Sequence, residues 1–165
     1  MDRNPSIMRI LKIMAISAAG VTLFKMYIAM HLRHFKLSEF GAALPFLSVG
    51  LLQKLDEFRE RLGRPVMISP APGALIRFGK GDESQHTYGR AGDIMLPDGP
   101  DLETAYNVAK AVGFTGIGVY PDWKPYPGLH LDTRRLEAGQ AIATWAGVRE
   151  NGKQVYTSVG AGFYA

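Results

Sequence analysis

The chain has 165 residues, of which 47% are hydrophobic and 21% charged, a composition typical of a folded globular domain and not of a disordered chain. Cysteine is absent, which excludes disulfide bonds, thiolate metal sites and a cysteine nucleophile, so any metal ion would have to be bound by imidazole and carboxylate groups. The formal net charge is +4, but no basic run is interleaved with aromatic residues, and we therefore predict no nucleic-acid partner.

Residues 1–29 differ in composition from the rest of the chain. Three basic residues precede an uncharged stretch from Ile13 to Phe24, and Lys25 follows it. Such a stretch is short for a bilayer-spanning helix, but basic residues before a short apolar segment are typical of a secretory signal or a weak anchor. The alternatives are an apolar helix packed on the domain or on a partner protein, and an extension upstream of a natural start at Met30. We predict an N-terminal apolar helical segment over 1–29 and a single domain over 30–165.

The first half of that domain contains a predicted helix and a predicted strand. Apolar residues from Leu51 to Leu62 fall at helical spacing, and Gly63 is a natural stop. The short apolar run from Pro65 to Ser69 predicts a strand. A second helix is expected from about Leu102 to Val112.

The second half contains several short predicted strands. Residues Ile117 to Tyr120 and Leu129 to Asp132 form two of them. The sequence from Glu150 to Lys153 contains Asn-Gly and predicts a hairpin turn, with Gln154 to Val159 as the returning strand. Because helices and strands mix without a regular alternation, we predict an α+β fold with a small antiparallel sheet flanked by helices.

The densest concentration of chemistry-bearing residues lies between Ser84 and Ile94. His86 and Asp93 are seven residues apart and can converge if a loop carries His86, Gly89 turns the chain and Asp93 opens a strand. His130 lies in a second apolar, strand-like stretch. Two imidazoles and one carboxylate suit a zinc ion that keeps its fourth position open, which is the arrangement of a catalytic site.

Each of these residues also has a structural interpretation. His86 could be a loop histidine in a hydrogen-bonded turn, Asp93 could terminate a strand, and His130 could be a buried core histidine. We interpret the remaining two histidines, His31 and His34, as non-ligands.

The pattern Ser84-x-His86-x-x-Gly89-x-Ala91-x-Asp93 resembles the signature of the D-alanyl-D-alanine carboxypeptidase-like zinc peptidases. That group includes the L-alanyl-D-glutamate endopeptidases that bacteriophages use as endolysins. The segment from His34 to Phe40 is also similar to the opening of many such domains, and the resemblance extends from about Met30 to Arg135.

The resemblance implies a role for several side chains. His86, Asp93 and His130 would bind Zn²⁺, and Ser84 would support the site by hydrogen bonding. Arg77 lies where the family often has an arginine that holds a substrate carbonyl or carboxylate, although the usual Gly-Tyr-Arg turn is absent here, and an ordinary surface arginine is the alternative.

The main departure from the family concerns the general base. The family often has an acid three residues before the last zinc histidine or a histidine two before it, and here those positions are Pro127 and Gly128. Asp132 could activate the water, or could instead orient a ligand histidine or pair with Arg134. Asp122 is a second candidate if its loop folds over the site.

Aromatic residues accompany the predicted site. Tyr120 and Tyr126 could donate to a developing oxyanion, and the segment Trp123 to Pro127 could form a binding wall or simply pack as a loop. We interpret Trp145 and Tyr156 as members of the core or of a sheet face.

These features predict a zinc-dependent peptidase that cuts stem or cross-bridge peptides of peptidoglycan and is encoded by a phage or prophage. It would act in the periplasm or cell envelope or be carried on a phage particle, with residues 1–29 contacting a membrane or a virion partner. The alternative, motivated by the missing acid before His130, is a non-catalytic virion or envelope protein that retains the fold. A zinc hydrolase for another small substrate is a third possibility.

Overall fold

The computed structural model of the chain describes residues 31–79, 84–99 and 101–164. The apolar helix predicted for residues 1–29 lies outside the described residues. No helix in the described ranges is long and apolar enough to cross a membrane.

The helical elements pack on one side of a sheet. A short helix α1 (Leu37–Phe40) leads through a 3₁₀ segment (Gly41–Phe46) into α2 (Val49–Leu62). Later in the chain come α3 (Leu102–Val112) and a second 3₁₀ segment (Val159–Phe163).

The ends of α2 follow from its sequence. The Ser48 side chain accepts a hydrogen bond from the Leu51 amide at 3.2 Å, which satisfies one free donor of the first turn. Gly63 ends the helix in the left-handed conformation at φ 62°, and its amide donates to the carbonyls of Arg59 and Glu60. The predicted helix is confirmed and begins two residues earlier than expected. The helix predicted from Leu102 to Val112 is also confirmed.

Six strands form one sheet in the order β1-β2-β4-β3-β5-β6. Their bounds are β1 Met67–Ile68, β2 Ala91–Met95, β3 Gly116–Tyr120, β4 Gly128–Asp132, β5 Ala143–Glu150 and β6 Lys153–Thr157. Four neighbouring pairs are antiparallel, but β3 and β5 run parallel, so the prediction of an antiparallel sheet was wrong for this pair. The reason is that the connection from Thr133 to Ile142 stays at one end of the sheet. It brings β5 back antiparallel to β4 but places it on the far side of β3.

Two of the predicted strands are shorter in the structure. The strand expected from Pro65 to Ser69 is limited to Met67–Ile68. Pro65 has no amide for a strand ladder, whereas Ser69, just beyond the strand, still donates its amide to the Asp93 carbonyl at 2.9 Å. The hairpin turn is confirmed: Asn151 and Gly152 both have positive φ, and Glu150 pairs with Lys153. The returning strand ends at Thr157, because the chain enters the second 3₁₀ segment.

The two faces of the sheet carry different side chains, because successive residues of a strand point to opposite faces. One face packs against the helices and is made of fully buried apolar residues from the central strands: Ile94, Ile117, Val119, Leu129, Leu131 and Ala146. The other face carries the alternate residues of the same strands and includes acids, histidines, aromatics and glycines. This second face holds the candidate site.

Candidate metal centre

His86, Asp93 and His130 converge on the face opposite the helices. Asp93 and His130 are Cα partners in the middle of β2 and β4, so their side chains share that face. His86 reaches them from the loop before β2, where the Gly89 amide donates to the His86 carbonyl at 3.0 Å. Gly89 has φ 62°, and a Cβ there would lie 2.0 Å from the Phe46 carbonyl oxygen. The chain therefore turns as expected at Gly89, but Asp93 lies at the centre of its strand and does not open it.

The three side chains present their ligand atoms at short mutual distances. His130 Nδ1 lies 2.9 Å from Asp93 Oδ1 and 3.1 Å from His86 Nε2, and the latter lies 3.3 Å from Asp93 Oδ1. Donors about 2.0–2.1 Å from a tetrahedral zinc ion lie about 3.3 Å from one another. The spacing and the donor types therefore fit a zinc ion.

Burial strengthens this interpretation. His86 is 1% exposed, Asp93 8% and His130 9%. Burial alone would raise the pKa of Asp93, but hydrogen bonds to His130 and His86 lower it below its usual value. The carboxyl is thus held as an anion between two imidazoles, which is the state required of a metal ligand.

Asp132 lies behind His130 and contacts the opposite side of its ring. Its Oδ2 is 3.0 Å from His130 Nε2, and both carboxylate oxygens accept from Arg134 Nε at 2.9 and 3.1 Å. Burial alone would raise the pKa of Asp132, but Arg134 and His130 lower it far below its usual value. A carboxylate at Nε2 keeps a proton on that nitrogen and leaves Nδ1 available for a cation.

The backbone of β3 leaves space for this carboxylate. Gly116 pairs with Asp132, and a Cβ at Gly116 would lie 2.1 Å from Asp132 Oδ2. Asp132 is fully buried and does not line the cleft. Its placement supports the interpretation that it orients a ligand histidine and pairs with Arg134, and gives no support for a role as general base.

The other two residues predicted for the site also lie beside it. Arg77 lines the cleft, is 45% exposed, and places Nη2 3.8 Å from Asp93 Oδ2. Ser84 lines the cleft as well, and its Oγ accepts from the His86 amide at 3.3 Å. Ser84 thus stabilises the loop that carries His86.

The cleft above the three ligands has a volume of about 740 Å³ and several aromatic walls. Trp123, Trp145, Tyr120 and Tyr156 line it, together with Lys124 and Gln154. Trp145 and Tyr156 belong to a sheet face as expected, but their proximity to the site was missed. Alternate residues of β5 point to opposite faces of the sheet, which could have indicated that Trp145 faces the site. Using this signal required the strand register that pairs Trp145 with Gly118.

Two candidates for catalytic roles lie outside the cleft. Asp122 accepts a hydrogen bond from the Arg149 amide at 2.7 Å and does not line the cleft. Tyr126 is 38% exposed and is also absent from the cleft lining. The loop after β3 therefore contributes Trp123 and Lys124 to the cleft instead.

Comparison with known families identifies a match over the first part of the domain. The family model described as Peptidase M15 matches residues 30–124, which include His86 and Asp93 and end before His130. Comparisons with curated proteins and with solved structures gave no significant match. The matched segment covers more than half of the chain and confirms the resemblance expected from its motif. The chain belongs to the Peptidase M15 family, the zinc peptidases of the D-alanyl-D-alanine carboxypeptidase type.

Proposed function

We propose that this chain is a zinc-dependent peptidase that hydrolyses peptide bonds in the stem or cross-bridge peptides of peptidoglycan, and that it is encoded by a phage or prophage. The observation that carries the proposal is the buried cluster of His86, Asp93 and His130 at the floor of an open cleft. Membership of a peptidase family supports hydrolysis as the reaction.

The metal would be bound by His86 Nε2, Asp93 Oδ1 and His130 Nδ1. A zinc ion in such a site supplies Lewis acidity to a carbonyl oxygen and lowers the pKa of water. The protein residues provide the remaining functions. Asp132 orients the His130 ring, Ser84 stabilises the His86 loop, and Arg77 extends into the cleft where it can bind a substrate carbonyl or carboxylate.

The charge of the cleft supports a carboxylate-bearing peptide as substrate. Arg77 and Lys124 line it, together with Arg134, which is ion-paired with Asp132, whereas Asp93 is the only acid among the described residues of the lining. Cationic side chains in a cleft attract anionic ligands. Stem peptides of peptidoglycan carry free carboxylates, so they match this lining better than a neutral or cationic peptide would.

The same lining motivates a second candidate function. Because Asp93 would be a metal ligand, the described part of the cleft offers no further carboxylate to act as a base. A non-catalytic virion or envelope protein that binds zinc and retains the fold would have such a site. Retained zinc without bond cleavage would favour this alternative.

The cellular location is part of the same proposal. A peptidoglycan peptidase would act in the periplasm or cell envelope, or from a phage particle. The basic and apolar composition of residues 1–29 supports contact with a membrane or a virion partner through that segment.

The test combines metal analysis with digestion of purified peptidoglycan. The wild-type protein is expected to contain about one zinc ion and to release peptide fragments, and His130→Ala is expected to lose both. His34→Ala is the matched control, because His34 lies near Glu60 and outside the cleft. Zinc-loaded wild-type protein that releases no fragment would contradict the peptidase proposal, and an active His130→Ala would contradict the assignment of the site.

A further inference from the structure

Tyr120 and Trp145 form a hydrogen-bonded pair on the cleft face of the sheet. Trp145 Nε1 donates to the Tyr120 hydroxyl oxygen at 2.9 Å. An indole nitrogen can only donate, so the Tyr120 oxygen must be the acceptor in this bond. The hydroxyl proton of Tyr120 is therefore directed to another acceptor, and the Tyr156 side chain, which also lines the cleft, lies within hydrogen-bonding range of it.

Two glycines fit this pair to the sheet. A Cβ at Gly118 would lie 2.6 Å from the Trp145 ring, and a Cβ at Gly147 would lie 2.3 Å from the Tyr120 ring. Gly118 is on the strand of Tyr120, and Gly147 is on the strand of Trp145. Each ring therefore lies against bare backbone of the other's strand.

Further contacts restrict the Tyr120 side chain. The Trp123 ring stacks on the Tyr120 ring with a centroid distance of 4.1 Å and an interplanar angle of 13°. Tyr120 is only 7% exposed, yet it lines the cleft. A buried side chain with these contacts can hold its hydroxyl in one orientation without a large loss of freedom when substrate binds.

The pair lies beside the proposed metal centre. The Trp145 ring centroid is 5.3 Å from that of His130. Gly118 is the Cα partner of His130, and Tyr120 is two residues further along the same face of β3. Tyr120 is therefore a diagonal neighbour of His130, and residues in this relation lie about 7–8 Å apart in the backbone. Burial raises the pKa of Tyr120, so the hydroxyl keeps its proton.

Resting on the proposed peptidase function, we propose that the Tyr120 hydroxyl donates a hydrogen bond to the oxygen of the scissile carbonyl as negative charge develops there. Trp145 is a positioning residue, because its N–H occupies an acceptor site of the hydroxyl and so orients the O–H toward the cleft. Donors aimed at developing charge in a partly enclosed site stabilise the transition state more than the ground state.

The experiment measures cleavage of a synthetic stem pentapeptide by zinc-loaded wild type and Tyr120→Phe. The variant is expected to lower kcat by about 100-fold. Its KM is expected to stay within about twofold, since the bond forms in the transition state. Zinc content should be unchanged. Tyr126→Phe is the matched control, because Tyr126 lies outside the cleft lining, and it should leave kcat unaffected.

Trp145→Phe tests the positioning role without removing the hydroxyl. Its kcat is expected to fall by about tenfold, with KM unchanged, because the O–H loses its fixed orientation. An independent measurement uses the two tryptophans of the chain, whose indole N–H groups give two signals in a ¹⁵N–¹H spectrum. Tyr120→Phe should shift the Trp145 signal strongly, and Tyr126→Phe should shift neither.

The outcomes separate this inference from the function on which it rests. An active wild type with Tyr120→Phe within about twofold in kcat would overturn the inference and leave the peptidase proposal standing. A wild type that cleaves neither the pentapeptide nor peptidoglycan would overturn both. If Tyr120→Phe does not fold, Trp145→Phe decides the question, and wild-type kcat in that variant overturns the inference.

Discussion

The two faces of the central sheet are built from the same strands but are stabilised by different interactions. On the helix side, β2, β3 and β4 contribute Ile94, Val119 and Leu129, which are fully buried against α2 and α3. On the cleft side the next residues of the same strands are acids, histidines, aromatics and glycines. Burial of apolar area stabilises the first face, whereas hydrogen bonds and ion pairs organise the second.

The comparison shows how a site can be kept rigid without an apolar core around it. Asp132, His130 and Asp93 form a continuous chain of contacts from Arg134 to the proposed metal position. Each of these groups is buried, so each would be costly if left unpaired. Substitutions on the helix side should therefore lower mainly the free energy of unfolding, and substitutions on the cleft side should lower mainly the affinity for the metal.

The largest effect on folding is expected on the helix side. Leu129→Ala removes a fully buried side chain and should lower the free energy of unfolding by about 3 kcal/mol. Zinc affinity of the folded variant should be close to wild type, because Leu129 points away from His130. Urea denaturation and metal titration measure the two quantities. A large loss of zinc affinity in folded Leu129→Ala would show that the faces are not independent.

The next largest effect is expected on zinc affinity, from a substitution on the cleft side of the sheet. Asp132→Asn removes the anion that orients His130 and should weaken zinc binding by about 10–100-fold. Competition with a chelator measures this change. Asp122→Asn is the matched control, because that carboxylate accepts from a backbone amide outside the cleft. Equal zinc affinities for Asp132→Asn and Asp122→Asn would contradict the positioning role.

The smallest expected effect is on the pH dependence of stability, and it arises from an ion pair among the helices. Burial alone would raise the pKa of Glu39, but hydrogen bonds from Arg59 and the Lys36 amide lower it below its usual value of 4.5. A carboxyl with a lowered pKa stabilises the fold above its unfolded pKa, and this contribution is lost as pH falls through the folded pKa.

Glu39→Gln should therefore lose less stability than wild type when urea denaturation is compared between about pH 7 and about pH 3. Glu137→Gln is a suitable control, because Glu137 is exposed and its hydrogen bonds with Gln140 are made by its backbone amide and carbonyl. The same pH dependence in Glu39→Gln and in wild type would show that the ion pair with Arg59 contributes nothing to stability.

Local signals made much of the fold predictable. Helices α2 and α3 were found from apolar spacing and terminal glycines, and the β5–β6 hairpin from its Asn-Gly turn. The parallel pairing of β3 and β5 was missed, because it depends on where a connection without regular structure leads the chain. No local pattern specifies that path.

The candidate site was predictable only where a local sequence pattern specified it. The pattern from Ser84 to Asp93 indicated the loop and strand that bring His86 and Asp93 together. The partners of His130 on β3 and β5 depend on sheet register, which places Gly116 beside Asp132 and Gly118 beside Trp145. Trp145 therefore could not be assigned to the cleft until the strand order was known.

The central claim is that His86, Asp93 and His130 bind one zinc ion. Diffraction from zinc-loaded crystals at the zinc absorption edge tests it most directly. We expect one anomalous peak about 2.0–2.1 Å from His86 Nε2, His130 Nδ1 and an Asp93 carboxylate oxygen. A fully loaded protein with its peak elsewhere, or with no peak among these three side chains, would contradict the claim.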